Sequence, residues 1–434
     1  MAHDTRKTRD RAALVGLATG RLGRTEAEQS LDELAGLVRA AGGTVAFRSL
    51  QERSRPEAAT FVGKGKLQTL ALACDEQDVS VVVFDNELTP TQLRQIEPVV
   101  KRRVIDRTQL ILDIFALRAR TREGQSQVEL AQLRYLLPRL VGSGVELSRL
   151  GGGIGTRGPG ETKLETDRRR IRQRITVIAA SIEGVRQRRA RLRDRRHKGD
   201  VPTVALVGYT NAGKTTLFNL LTGGEAEASD ALFVTLDPLV RQVKLGDQRE
   251  LLVSDTVGFI NRLPHTLVAA FRASLEEARE ADLLVHVIDA ASPGREQRMA
   301  AVQAVLAEIG AAELPRLDVL NKADLLTDAE IARVAADLND PVVMSASMGH
   351  GREMLLGRMM ESLALDTRRV RLSLDAGTEV GRRRVAWLYG HARVLRHETV
   401  GARTVIDADV PRRGLALFPS SIVSAVPADS EGAA

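Results

Sequence analysis

The sequence predicts an α/β protein whose central domain is a mainly parallel sheet flanked by helices, and three observations carry that prediction. Residues 204–217 read Val-Ala-Leu-Val-Gly-Tyr-Thr-Asn-Ala-Gly-Lys-Thr-Thr-Leu, an apolar strand running through a glycine-rich turn into a helix. Through residues 1–106, short apolar runs alternate with stretches of helical spacing, the pattern of a parallel α/β unit. Beyond residue 250, apolar strands end in short polar motifs at 251–258, 318–324 and 342–346. A chain of 434 residues with 43% hydrophobic content has room for about three domains with real cores. We divide it into an N-terminal α/β subdomain (1–106), a basic helical subdomain with a glycine-rich loop (107–198), a nucleotide-binding domain (199–364) and a small C-terminal α/β domain (365–434).

The first subdomain reads as strands at 12–17, 45–50, 79–84 and 104–105, with helices at 26–40 and 66–73. Thr89 is placed to cap a third helix, with Pro90 at its first position. The glycine-rich Phe61-Val-Gly-Lys-Gly-Lys66 reads as a tight turn before a helix in preference to a second nucleotide site. Residues 107–140 have a helical, highly charged pattern. Segment 150–160 holds six glycines and a proline, so it cannot be the interior of a helix or strand. It is either a linker or, with Arg157, a loop that can approach phosphate or RNA. Residues 161–198 carry 14 Lys and Arg against 5 Asp and Glu. Ile171, Ile175, Ile178, Ile182 and Val185 form a heptad-like stripe there, which predicts two long helices paired as a hairpin, with Gly184 tolerated or marking the break. In the last domain, strands are expected at 370–374, 392–398 and 404–410, a helix at 380–389, and a disordered end at 427–434. Arg382, Arg383 and Arg384 are either an RNA- or protein-contacting group or a solvated face.

Gly208, Gly213, Lys214 and Thr215 fit the phosphate-binding loop Gly-x-x-x-x-Gly-Lys-[Ser/Thr]. Its amides and the following helix N-terminus suit an anion. Lys214 is placed to reach the outer phosphates, and the Thr215 hydroxyl to bind Mg²⁺. Thr235, in Phe-Val-Thr-Leu-Asp-Pro, is placed to complete the Mg²⁺ shell when a γ-phosphate is present. Asp255 in Asp-x-x-Gly would hold Mg²⁺ through water, and the Gly258 amide would touch the γ-phosphate. Asn321-Lys-Ala-Asp324 suits guanine, because a carboxylate at Asp324 can accept from both the ring N1–H and the exocyclic amine. Lys322 would lie along the base, and the Ala346 amide would meet its carbonyl oxygen.

Five motifs in this order, at strand ends, identify a P-loop GTPase domain for GTP and GDP. The expected contact set is Gly208, Tyr209, Thr210, Asn211, Ala212, Gly213, Lys214, Thr215 and Thr216; then Phe233, Val234 and Thr235; Asp255, Thr256, Val257 and Gly258; Asn321, Lys322 and Asp324; and Ser345, Ala346 and Ser347. Of these, Lys214, Thr235 and Gly258 are the catalytic candidates and Thr215, Thr235 and Asp255 the metal candidates. Phe259 stands where many such enzymes keep a glutamine that orients the attacking water, so slow unaided hydrolysis is expected. Asn211 either suits the turn or, as in P-loops of K⁺-activated GTPases that it resembles, ligates K⁺.

The net charge of +7 is uneven. Residues 201–366 carry 14 Lys and Arg against 24 Asp and Glu, whereas the remainder carries 49 against 32. Basic flanks around an acidic nucleotide domain favour a polyanionic partner such as RNA, or else serve solubility. The single cysteine, Cys74, excludes an internal disulfide framework. No apolar run has the length of a membrane span, and the first residues lack a signal-peptide core, so a soluble cytoplasmic protein is expected.

Within the translation-factor-related GTPases, the chain resembles the HflX GTPases. The carrying residues are Val62-Gly-Lys-Gly-Lys66, Asp106-Arg-Thr-Gln-Leu-Ile-Leu-Asp-Ile-Phe115, Glu129-Leu-Ala-Gln-Leu-Arg-Tyr135 and the run from Gly151 to Glu165. Asn211–Leu217, Leu236-Asp-Pro238 and the run from Asp255 to Pro264 carry it in the nucleotide domain. The resemblance implies a ribosome-associated GTPase that binds the large ribosomal subunit and its rRNA, reaches the peptidyl-transferase region with its N-terminal domain, and splits stalled ribosomes under stress. It also makes 151–160 and the following helices candidate RNA contacts. Members have been linked to ATP use by the N-terminal domain, which nothing in this sequence decides. A monomer is expected. The competing readings are an rRNA-binding assembly GTPase and a sensor that binds nucleotide with little turnover.

Overall fold

The computed structural model describes residues 10–20, 23–140, 163–198, 201–224, 226, 232–246, 249–261, 272–401 and 403–425. The chain divides into two units. One comprises Met1–Leu192, Ala228–Asp237 and Ile260–Ser274; the other comprises Arg193–Glu227, Pro238–Phe259 and Leu275–Ala434. The glycine-rich segment 150–160 and the chain end 427–434 lie outside the described residues.

In the first unit, β1 (Arg11–Ala18), α1 (Arg24–Ala40), β2 (Thr44–Glu52), α2 (Lys64–Glu76), β3 (Val81–Phe84), α3 (Pro90–Val100) and β4 (Arg103–Asp106) alternate. The strands form a parallel sheet in the order β2-β1-β3-β4. β1 and β3 are apolar without alternation because helices cover both faces of the sheet. Leu31, Leu34, Leu37 and Val38 of α1 are buried, as their spacing requires. Thr89 and Gln92 cap α3 reciprocally, Gln92 N donating to Thr89 Oγ1 at 3.2 Å and Thr89 N to Gln92 Oε1 at 2.9 Å. Residues 61–66 form the turn into α2, where Gly63 N donates to Gln51 Oε1 at 2.9 Å.

Two helices follow, α4 (Arg107–Arg118) and α5 (Arg122–Arg139). Fully buried Asp106 ties them to the sheet. Its carboxylate accepts from Leu88 N (3.0 Å), Gln109 N (2.9 Å), the Tyr135 hydroxyl (2.7 Å) and Arg139 Nη2 (3.1 Å). Burial, with the charge of Asp106, pushes the Tyr135 phenol well above its usual range. Where a hairpin is expected within 161–198, the structure has one uninterrupted 36-residue helix, α6 (Lys163–Lys198), running straight through Gly184. Ile178 on its stripe is buried, and Arg174 makes a bidentate pair with Glu129 of α5 at 2.7 and 2.9 Å.

The second unit holds β5 (Thr203–Gly208), β6 (Leu239–Gly246), β7 (Arg249–Asp255), β8 (Leu283–Asp289), β9 (Arg316–Asn321) and β10 (Val342–Val343). They form a sheet in the order β10-β9-β8-β5-β7-β6, parallel except for the edge strand β6. Strand order reverses beside β5, so the loop after β5 opens at the topological switch point, where such sheets bind ligands. β11 (Thr367–Asp375), α7 (Glu379–His391), β12 (Arg393–Val400), β13 (Arg403–Pro411) and β14 (Val423–Ala425) complete the unit as an antiparallel sheet in the order β12-β13-β11-β14. Among the described residues, no helix is long and apolar enough to cross a membrane.

Candidate functional site

Parallel strands of the second sheet end on one edge, and each end delivers a motif. β5 ends at Gly208 and leads through 209–213 into helix α8 (Lys214–Thr222). Gly213 sits at φ +93°, and a Cβ there would come within 2.2 Å of Asn321 Nδ2, so only glycine lets the loop lie against the end of β9. Asn211 takes φ +60°, a left-handed conformation that asparagine tolerates better than most residues. Lys214 is buried, its Nζ donating to the carbonyls of Gly208 (3.2 Å) and Tyr209 (2.9 Å). Burial lowers its ammonium to about 8, with the charge of Asp255 working in the opposite sense.

β7 ends at fully buried Asp255, whose Oδ2 accepts the Thr215 hydroxyl at 2.8 Å. The next residue, Thr256, donates its hydroxyl to Leu206 O at 2.6 Å and locks this strand end to β5. Gly258 lies over the phosphate loop: a Cβ on it would be 2.9 Å from Lys214 Nζ. Phe259 is buried, and its backbone pairs with the loop. Thr210 N donates to Phe259 O at 2.8 Å, and Phe259 N donates to Gly208 O at 3.1 Å. Its ring is therefore core, unable to orient a water.

β9 ends at buried Asn321, whose side chain joins three loops. Its Nδ2 donates to Ala212 O at 2.8 Å, and its Oδ1 accepts Ala346 N at 2.9 Å. Lys322, at φ +63°, donates to Asp289 Oδ2 at 2.8 Å. Asp324 follows in an exposed 3₁₀ turn, Ala323–Leu325, and Ala323 N donates to Met344 O at 3.1 Å. Past β10, the hydroxyls of Ser345 and Ser347 are 3.2 Å apart, and Ser345 Oγ also accepts Met348 N at 3.3 Å.

The structure thus gathers 208–216, 255–258, 321–324 and 345–347 in one unit, and places Phe233, Val234 and Thr235 in the other. The sequence reading missed Asp289. It is the last residue of an apolar strand aligned with the other motif strands, and its carboxylate orients Lys322. Thr215 and Asp255 bring two hard oxygen donors together, which fits Mg²⁺. Among the described residues no group of three or more His, Cys, Asp or Glu could hold a metal.

Three family models match: "GTP-binding GTPase N-terminal" at residues 28–116, "GTP-binding GTPase Middle Region" at 118–196 and "50S ribosome-binding GTPase" at 203–322. The chain is 48% identical to GTPase HflX of Caldanaerobacter subterraneus subsp. tengcongensis, covering 83% of this chain and 82% of that one. It is 50% identical to GTPase HflX of Escherichia coli K12, covering 77% and 79%. A crystal structure of a GTP-binding protein from Sulfolobus solfataricus in complex with GDP matches at 25% identity over 82% of this chain and 98% of that one, with a TM-score of 0.42.

Proposed function

Because this chain belongs to the HflX family of GTPases, we propose that it is a nucleotide switch for the large ribosomal subunit: GTP favours ribosome binding, hydrolysis triggered there permits release, and under stress it splits or rescues stalled ribosomes. The observation that carries the GTP reading is the Asn321 side chain, which fastens the phosphate loop and the 345–347 loop to the base-reading strand. Loop amides and the α8 N-terminus take the phosphates, with Lys214 leaving its carbonyl partners for the outer ones. Asp324 accepts from guanine N1–H and its amine, and Ala346 N donates to its carbonyl oxygen. Thr215 and Asp255, joined by Thr235 when GTP is bound, would hold Mg²⁺, which supplies positive charge against the charge developing on the phosphates. Water attacks the γ-phosphorus, the bond to the β–γ bridging oxygen breaks, and GDP leaves with phosphate.

Phe259 cannot position that water, so the ribosome completes the site. K⁺ held by Asn211 would add charge beside the phosphates. Ribosome binding draws support from the family and from the basic flanks, 49 Lys and Arg against 32 Asp and Glu, which suit rRNA.

The test is GTP hydrolysis with and without purified large subunits, in K⁺ and in Na⁺, with Lys214→Ala as control. Stimulation of roughly 10³-fold or more, lost in the variant, is expected. Subunit separation on sucrose gradients then tests splitting. Equal rates in the two salts would remove K⁺. Nucleotide binding without any stimulation would favour the sensor that the buried Phe259 ring also suits.

A further inference from the structure

Asp237 fastens the segment that carries Thr235 to the first unit. Its Oδ2 accepts the backbone amides of Arg120 (3.0 Å) and Thr121 (2.9 Å), and its Oδ1 accepts the Thr121 hydroxyl. Thr121 in turn caps α5, its Oγ1 accepting Gly124 N at 3.0 Å. A side chain from 116 residues away in sequence is therefore built into the start of a helix. Gly124 makes the room: a Cβ there would lie 2.3 Å from Asp237 Oδ1.

Two apolar anchors precede Thr235. The buried Phe233 ring meets Phe115 of α4 edge-on, with centroids 4.7 Å apart and planes at 75°. Phe233 holds φ +58°, a conformation that an aromatic residue keeps only where its surroundings impose it. Leu232 fills the space left by Gly36 of α1, where a Cβ would be 3.0 Å from its Cδ1. The chain is thus held two residues before Thr235 and two residues after it.

We propose that Asp237 is a positioning residue for the GTPase reaction, clasping the α4–α5 junction so that the Thr235 loop is ordered before GTP arrives. The inference rests on Thr235 being the threonine that senses the γ-phosphate. GDP lacks that phosphate, so the clasp acts on GTP affinity alone.

The experiment measures affinities of the full chain for GDP and for a non-hydrolysable GTP analogue. Asp237→Ala is expected to weaken the analogue about tenfold and GDP less than about twofold, the unchanged GDP affinity reporting an intact site. Gly124→Ala, whose Cβ would crowd Asp237 Oδ1 and displace the carboxylate with Asp237 itself unaltered, gives the same loss, and the double variant is no worse than either single one. Asp237→Asn, which keeps an acceptor for the amides, recovers part of the loss. An unchanged or raised preference for the analogue, or additive losses in the double variant, overturns the proposal. Thr235→Ala separates the two readings. If it lowers analogue affinity while Asp237→Ala does not, the clasp fails; if it has no effect, the switch role of Thr235 fails, and with it the route by which Asp237 acts.

Discussion

Lys214 gives nucleotide binding a pH dependence whose sign can be worked out. Burial holds its ammonium near 8 in the free site, and phosphates would raise that value by favouring the charged form. Below pH 8 the lysine is charged with or without nucleotide, so affinity is flat. Above pH 8 the free site has lost the proton and binding must take one up, so affinity falls, by up to about tenfold per pH unit. Titration of GDP binding from pH 6.5 to 9.5 checks this, and Lys214→Arg should flatten the curve. Asp324→Asn is expected to weaken GTP roughly 10- to 100-fold and to favour xanthosine triphosphate, whose extra carbonyl can accept from the new amide; competition binding reads both. These residues were legible because their motifs are local and carry fixed spacing. Asp289, Asp237 and the Phe259 backbone were not, because each acquires its role from a partner that only the fold brings near.

Helix α6 shows what an element-level reading weighs wrongly. A glycine in a helix interior costs about 1 kcal/mol against alanine, too little to break a helix of this length. Nothing lies within 4 Å of where a Gly184 Cβ would sit, so Gly184→Ala should stabilise the helix by about that amount. A rise in melting temperature on the order of 2–4 °C, with GTP affinity unchanged, is the expected result. The parallel strands were readable because both faces are covered, giving unbroken apolar runs such as 81–84 and 204–207. β14 escaped because it is three residues long and owes its existence to pairing with β11. A run that short has no periodicity to read.

At the scale of the whole molecule, the charge is divided between an acidic central stretch and basic flanks, which gives the proposed rRNA partner a salt test. With 49 basic residues outside 201–366 and 14 within, affinity for large-subunit rRNA should fall roughly 10²-fold or more between 50 and 200 mM K⁺, while GDP affinity barely moves. Filter binding over that salt range checks it. Chain length has a consequence too. The amide of Asn321 closes contacts across 109 residues to Ala212 and across 25 to Ala346. On a chain still being translated, the phosphate loop is made long before the residues that brace it. Such a nascent chain cannot brace the proposed guanine pocket until residue 346 has emerged, with 88 of the 434 residues still to follow.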